Sequence, residues 1–191
     1  FPLKYSNKHY NAVITILDGV VVKLYTKKNL GVLEKNVFSN DFPTCQYKKL
    51  FGRVDLNYEF ENINGLAIDV SIGEDELMTI PRSLSNKNDA HHGIEIVLNP
   101  TAEPKIALNE EEIKNRIKFL SKDVTYVYTS QGIGESTTDF VYNGLSVIAQ
   151  DGKIKACTSN DKVDFVGRYY IDEESLFNKE FNSKIINADK F

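Results

Sequence analysis

The chain of 191 residues has only two cysteines, Cys45 and Cys157, with no C-x-x-C pair and no Cys/His spacing of the zinc-binding kind. That excludes a disulfide-stapled secreted scaffold and a structural zinc module, and the expectation is reduced thiols in a cytoplasmic setting. Positive charge is not in excess: 23 Lys and Arg stand against 27 Asp and Glu, a net charge of -4. No basic field gathers phosphates, so free-standing nucleic-acid binding is disfavoured. No apolar run approaches the ~20 residues of a bilayer helix. The opening FPLKYSNKHY also lacks the charged head and apolar middle of a signal peptide. A soluble protein without a membrane partner is therefore expected. The first residue is Phe1 rather than Met, which fits a processed or incomplete start. There is no internal repeat and no low-complexity tract, and no Gly-rich phosphate loop is followed by Lys-Ser/Thr.

What is present suffices for one globular domain with a sizeable core, since 41% of residues are hydrophobic and 26% charged. Residues 10–25, YNAVITILDGVVVKLY, place β-branched and aromatic residues on both sides of Asp18-Gly19, a strong signal for a two-residue hairpin turn. From Thr26 to Glu59 the pattern dissolves into a long irregular connection with room for a short helix; a loop of that size in a compact domain usually has a job or a partner. GLAIDVSI (65–72) reads as a strand, and SLSNKNDAHHG as weakly helical. IEIVLN (94–99) is a strand with so little polar alternation that burial on both faces is expected. The clearest helix is EEEIKNRIKFLSKD (110–123), capped by Asn109, acidic at its start, with Ile113, Ile117 and Leu120 on one stripe. VTYVYTS (124–130) is a further strand, and a second hairpin closes at Asp151-Gly152. Strand, helix and strand in alternation between flanking hairpins predict an α/β layered fold with a mixed sheet. The tail after Gly167 has weak periodicity and reads as an arm or peripheral helix.

VTYVYTSQGIGESTTDFVYNGLSVIAQDGKIKA (124–156), with GESTTD at 134–139, resembles a stretch of the glutamine-hydrolysing domain of glutamine-dependent NAD synthetases, members of the carbon-nitrogen hydrolase (nitrilase) superfamily. Three further stretches agree in order. TKKNL with the preceding hairpin resembles the family's P-K-x-x-L. IGED (72–75) with IPRS (80–83) resembles its I-C-E-D and I-P-P-S, and IEIVLNPTA its strand ending in N-x-S-A. The resemblance implies an α-β-β-α sandwich over residues 1–157, truncated at the N-terminus, with 158–191 as a C-terminal arm. The family's triad is a Glu base, a Lys and a Cys nucleophile. Setting IGED on I-C-E-D puts Gly73 where the Cys stands, and Lys27 falls on the Lys. The Glu lies in a portion with no counterpart here. Sliding the register puts Asp69 or Ser71 at the nucleophile, but neither shift preserves both E-D and I-P-x-S.

The family therefore implies relic positions at Lys27 and Gly73. Ligand contacts are implied at Glu74 and Asp75, and at Glu135 and Ser136 in the Gly-rich loop. Each has a plainer alternative. A Lys in a surface turn is most often solvated, Glu74-Asp75 serves equally well as a polar turn, and the 132–137 loop serves as turn geometry. Cys45 has no partner His, and Cys157, ending an apolar strand, is core. His91-His92 point in different directions and complete no metal site. No cofactor is implied. Without a nucleophile the expected role is a catalytically inactive element that binds a protein partner, pairs with a second copy or docks on a larger assembly. The competitors are a glutamine amidohydrolase, active alone or completed by a partner, that supplies ammonia for NAD synthesis, and a module that keeps the pocket to bind a small ligand.

Overall fold

The computed structural model describes residues 1–42, 61–63, 66–75, 94–103, 110–142 and 144–158. Cys45, the stretch 80–83, residues 83–93 with His91 and His92, for which weak helicity is expected, Asn109 and residues 159–191, expected as an arm, lie outside the described residues.

A three-stranded antiparallel sheet opens the chain, with β1 (Pro2–Tyr5), β2 (Lys8–Leu17) and β3 (Val20–Thr26) in sequence order. The turn between β2 and β3 has Asp18 at φ +51° and Gly19 at φ +76°, the left-handed pair that a two-residue hairpin requires. The β1–β2 hairpin, absent from the sequence reading, turns in the same way at Ser6 (φ +48°) and Asn7 (φ +65°). Asn tolerates this region because its short polar side chain bonds locally. A small core of Tyr10, Ala12, Leu24 and Phe42 sits on one face, with the Tyr10 and Phe42 rings edge-to-face at 4.7 Å between centroids.

The second sheet has six strands in chain order: β4 (Glu61–Ile63), β5 (Leu66–Val70), β6 (Ile96–Thr101), β7 (Thr125–Ser130), β8 (Ser146–Gln150) and β9 (Lys153–Cys157). β5, β6 and β7 are mutually parallel and the other pairings antiparallel, so the sheet is mixed as expected. The parallel step from β6 to β7 is made by the helix α1 (Glu110–Leu120). Register pairs Val97 with Tyr126 and Tyr126 with Ala149, which puts all three on one face. Ile113, Ile117 and Leu120 of α1 are buried against that face, closing a core that also holds Tyr128, Leu145 and Val147. The stripe is as expected, but the helix ends three residues early. Ser121 Oγ donates to Lys118 O (3.2 Å), and Gly152 N, from the Asp151-Gly152 turn, donates to Ser121 O (3.2 Å), which diverts the chain.

One expectation for β6 holds only at its start: Val97 is buried on the α1 side and Ile96 on the opposite side, whereas Leu98, which shares the face of Ile96, is 36% exposed. At the exit of β6, Glu103 accepts two bonds from the Arg116 guanidinium of α1 (3.0 and 2.6 Å) and one from Tyr128 Oη of β7 (3.3 Å). This ties strand, helix and strand together at one end of the sheet. Burial and the Glu103 carboxylate hold the Tyr128 phenol well above the ordinary tyrosine range. No described helix is long and apolar enough to cross a membrane.

Candidate functional site

The parallel strands end together: Thr101 closes β6 opposite Ser130 at the end of β7, and the chain leaving β5 reaches Gly73 beside them. Crevices outside the carboxyl ends of parallel strands are the usual ligand positions of α/β sheets.

Gly73 sits in a fixed turn. Its N–H donates to Pro100 O (2.9 Å), and the Asn99 amide donates to Ser71 O (2.7 Å) and Gly73 O (2.9 Å), so β6 holds the turn from below. Gly73 has φ +59°, a region that costs an L side chain energy. A Cβ built on it would lie 3.0 Å from Lys27 Nζ, 3.4 Å from Lys27 Cε and 3.9 Å from Thr101 Oγ1. The structure thus brings Lys27 and Gly73 together.

Lys27 is not the solvated turn lysine of the plainer reading. It is 7% exposed, and its ammonium donates to Glu34 Oε2 at 2.6 Å. A buried ammonium requires such a partner. Glu34 is fixed in turn, since Gly31 N donates to the same oxygen at 2.8 Å, closing a short loop that ends in the 3-10 turn Glu34–Asn36. Sequence reasoning passed over Glu34 because the residues beyond Leu30 match no family pattern. The available signal was a carboxylate seven residues after a lysine across a glycine. Glu34 thus joins Lys27 as a charged group beside the Gly73 turn.

The other expected residues divide. The Asp75 carboxylate faces the protein: it accepts Asn29 N at 2.7 Å and Lys28 N at 3.2 Å, while Asn29 Nδ2 donates to Asp75 O at 3.2 Å. Burial raises its pKa despite those bonds and the nearby lysines. It forms a bracket between two loops. Glu74 is exposed at the same turn. Glu135 and Ser136 are exposed on the loop that leaves β7, where Ser136 Oγ accepts Tyr142 N (3.1 Å) and Thr137 Oγ1 accepts Phe140 N (3.1 Å). Those hydroxyls shape the loop itself. Asp69 and Ser71, the shifted registers, are buried in and just beyond β5. Cys157 is half-buried against the larger core, and burial raises its thiol pKa. Among the described residues no group of three His, Cys, Asp or Glu could hold a metal ion.

No family model matches the chain. Glutamine-dependent NAD(+) synthetase of Mycobacterium leprae is 28% identical over 167 residues, 81% of this chain and 24% of that protein. The chain is a homologue of glutamine-dependent NAD(+) synthetase. Its fold is the nitrilase-like carbon-nitrogen hydrolase fold, truncated relative to solved examples. The glutamine-dependent NAD(+) synthetase of Cytophaga hutchinsonii superposes with a TM-score of 0.65 at 22% identity, over 82% of this chain and 26% of that one. A CN-hydrolase superfamily protein of Xanthomonas campestris gives a TM-score of 0.60 at 13% identity, over 82% of this chain and 56% of that one. The chain spans about a quarter of the NAD(+) synthetases it matches. The glutaminase domain is the part that fits.

Proposed function

We propose that this glutaminase-like domain is catalytically inactive and serves as a protein-binding or structural element, paired with a partner or a second copy, or docked on a larger assembly. The observation that carries this is the Gly73 turn. Where an attacking side chain would stand beside the lysine there is only a backbone hydrogen, and a Cβ there would already press on Lys27 Nζ at 3.0 Å. Covalent amide hydrolysis needs a nucleophile, and members of such a catalytic set act as a unit. The test is ammonia release from glutamine, with labelling by a thiol-trapping glutamine analogue alongside. Neither should be detected. Turnover that disappears in Thr101→Ala, the hydroxyl 3.9 Å from the Gly73 Cβ position, or in Cys45→Ser would overturn the proposal.

A second reading is favoured by the Lys27–Glu34 pair, formed at 2.6 Å with its lysine buried. It supports a module that holds a small amide-bearing ligand without reacting with it. A ligand at a hundred times its dissociation constant adds ~2.7 kcal/mol of stability. A thermal-shift series with glutamine, asparagine and their carboxylate analogues separates the readings, and no shift leaves the structural role standing.

A further inference from the structure

Lys27 and Gly73 belong to different parts of the fold. Lys27 N donates to Asn11 O of β2 (2.8 Å), whereas Gly73 is fastened to β6 through Pro100 and Asn99. Glu34 holds the Lys27 ammonium, but the two lie seven residues apart in one segment, so their ion pair does not set the gap to Gly73. Among the described residues, most of the bonds that cross the gap go to one short side chain. Asp75 is two residues beyond Gly73, and its own N–H is bonded to Ile72 O (3.2 Å). Its carboxylate takes the N–H groups of the two residues that follow Lys27, and Asn29 returns a bond to its backbone carbonyl. These contacts join segments 46 and 47 positions apart.

We propose that Asp75 is a positioning residue: by bracketing the backbone of Lys28 and Asn29, it fixes where the Lys27 ammonium stands over Gly73. It does so whether or not the domain binds a ligand. What matters is the length of the side chain and its acceptor oxygen. A glutamate carries the same charge but is one methylene longer, and pushes the lysine loop outward. An asparagine has the same length and one matching oxygen, and keeps the loop in place. An electrostatic role predicts the reverse, with glutamate tolerated and asparagine not.

The test uses the full chain carrying Gly73→Cys as a reporter, alone and with Asp75→Asn, Asp75→Glu or Asp75→Ala. Iodoacetamide alkylation of the introduced thiol is followed from pH 5 to 10 by peptide mass spectrometry, with Cys157 as internal reference. Beside the Lys27 ammonium the introduced thiol should titrate about one unit below the ordinary cysteine value near ~8.5. Asp75→Asn should leave that profile in place. Asp75→Glu and Asp75→Ala should both move it back up, with an about threefold slower reaction at pH 7, the about eightfold smaller thiolate fraction being partly offset by the greater nucleophilicity of the less acidic thiol. Each variant's urea unfolding transition is measured alongside, because an unfolded Glu or Ala variant would also return the thiol to its ordinary value; the shift in variants that still fold supports the proposal, and a shift confined to variants that have unfolded overturns it. If Gly73→Cys does not fold, labelling of Lys27 by an N-hydroxysuccinimide ester is measured in the Gly73 protein with the same Asp75 variants, and it should rise in Glu and Ala but not Asn. Equal behaviour of all variants, an effect of Asn without Glu, or an effect of Ala alone would each overturn the proposal.

Discussion

The two sheets bury their apolar residues unequally. In the six-stranded sheet, α1 covers one face, and Val97, Ile113, Ile117, Tyr128, Leu145, Val147 and Ala149 are each at most 2% exposed. The three-stranded sheet has a smaller core, and its β2–β3 tip leaves Ile16 at 56%, Leu17 at 45% and Val20 at 61% exposure. The first is the body of the domain, closed by a parallel crossover. The second is a ribbon whose site-facing end is tied to that body by polar contacts through Asp75 and the Gly73 turn. The difference teaches that site geometry here is set at the seam between a well-packed unit and a thinly packed one. Hydrophobic burial positions the strand ends, and hydrogen bonds position the lysine.

The contrast can be broken first at its strongest point. Ile117→Ala, at a fully buried position, should cost about 4 kcal/mol in urea unfolding. Glu103→Ala should follow at about 3 kcal/mol, because it leaves the Arg116 guanidinium largely enclosed without its carboxylate. Leu24→Ala in the smaller sheet should cost about 2 kcal/mol; a loss equal to that at Ile117 would mean that the two sheets are packed alike. At the seam, Gly73→Ala should cost about 1.5 kcal/mol, from the left-handed backbone and the press on Lys27.

Asp75 gives a prediction in pH. Burial raises its pKa above the ordinary 3.8, so the folded state holds the proton more tightly than the unfolded one. Its contribution to stability is full below about that pH and is lost as pH rises through the folded value. Asp75→Asn, which cannot ionise, should therefore gain on the parent in urea midpoint as pH climbs out of the acid range and hold a constant difference above it. A difference independent of pH would show that the carboxyl is not desolvated. The smallest effect belongs to the ribbon tip, where Val20→Ser should lie within about 0.5 kcal/mol of the parent in the same urea assay. A larger loss would show that the tip is covered in solution and would sharpen the case for a partner or second copy.

Residues that carry local instructions could be read from the sequence. Asp18-Gly19 and Asp151-Gly152 form their turns because a tight hairpin demands positive φ at both positions. Ile113, Ile117 and Leu120 face the core because a 3.6-residue period admits no other arrangement. The nitrilase-like fold was legible through IGED, NPTA and GESTTD in order. What could not be read depended on distance. The burial of Lys27, its pairing with Glu34 and the turning of Asp75 inward onto Lys28 and Asn29 join residues that no local pattern relates. By itself the sequence determined the two Asp-Gly turns, the helix stripe and the glycine at position 73. Only the tertiary structure decided that this glycine lies beneath a buried ammonium. Local propensity acts along the chain, whereas a charge can leave water only where the fold brings it a partner.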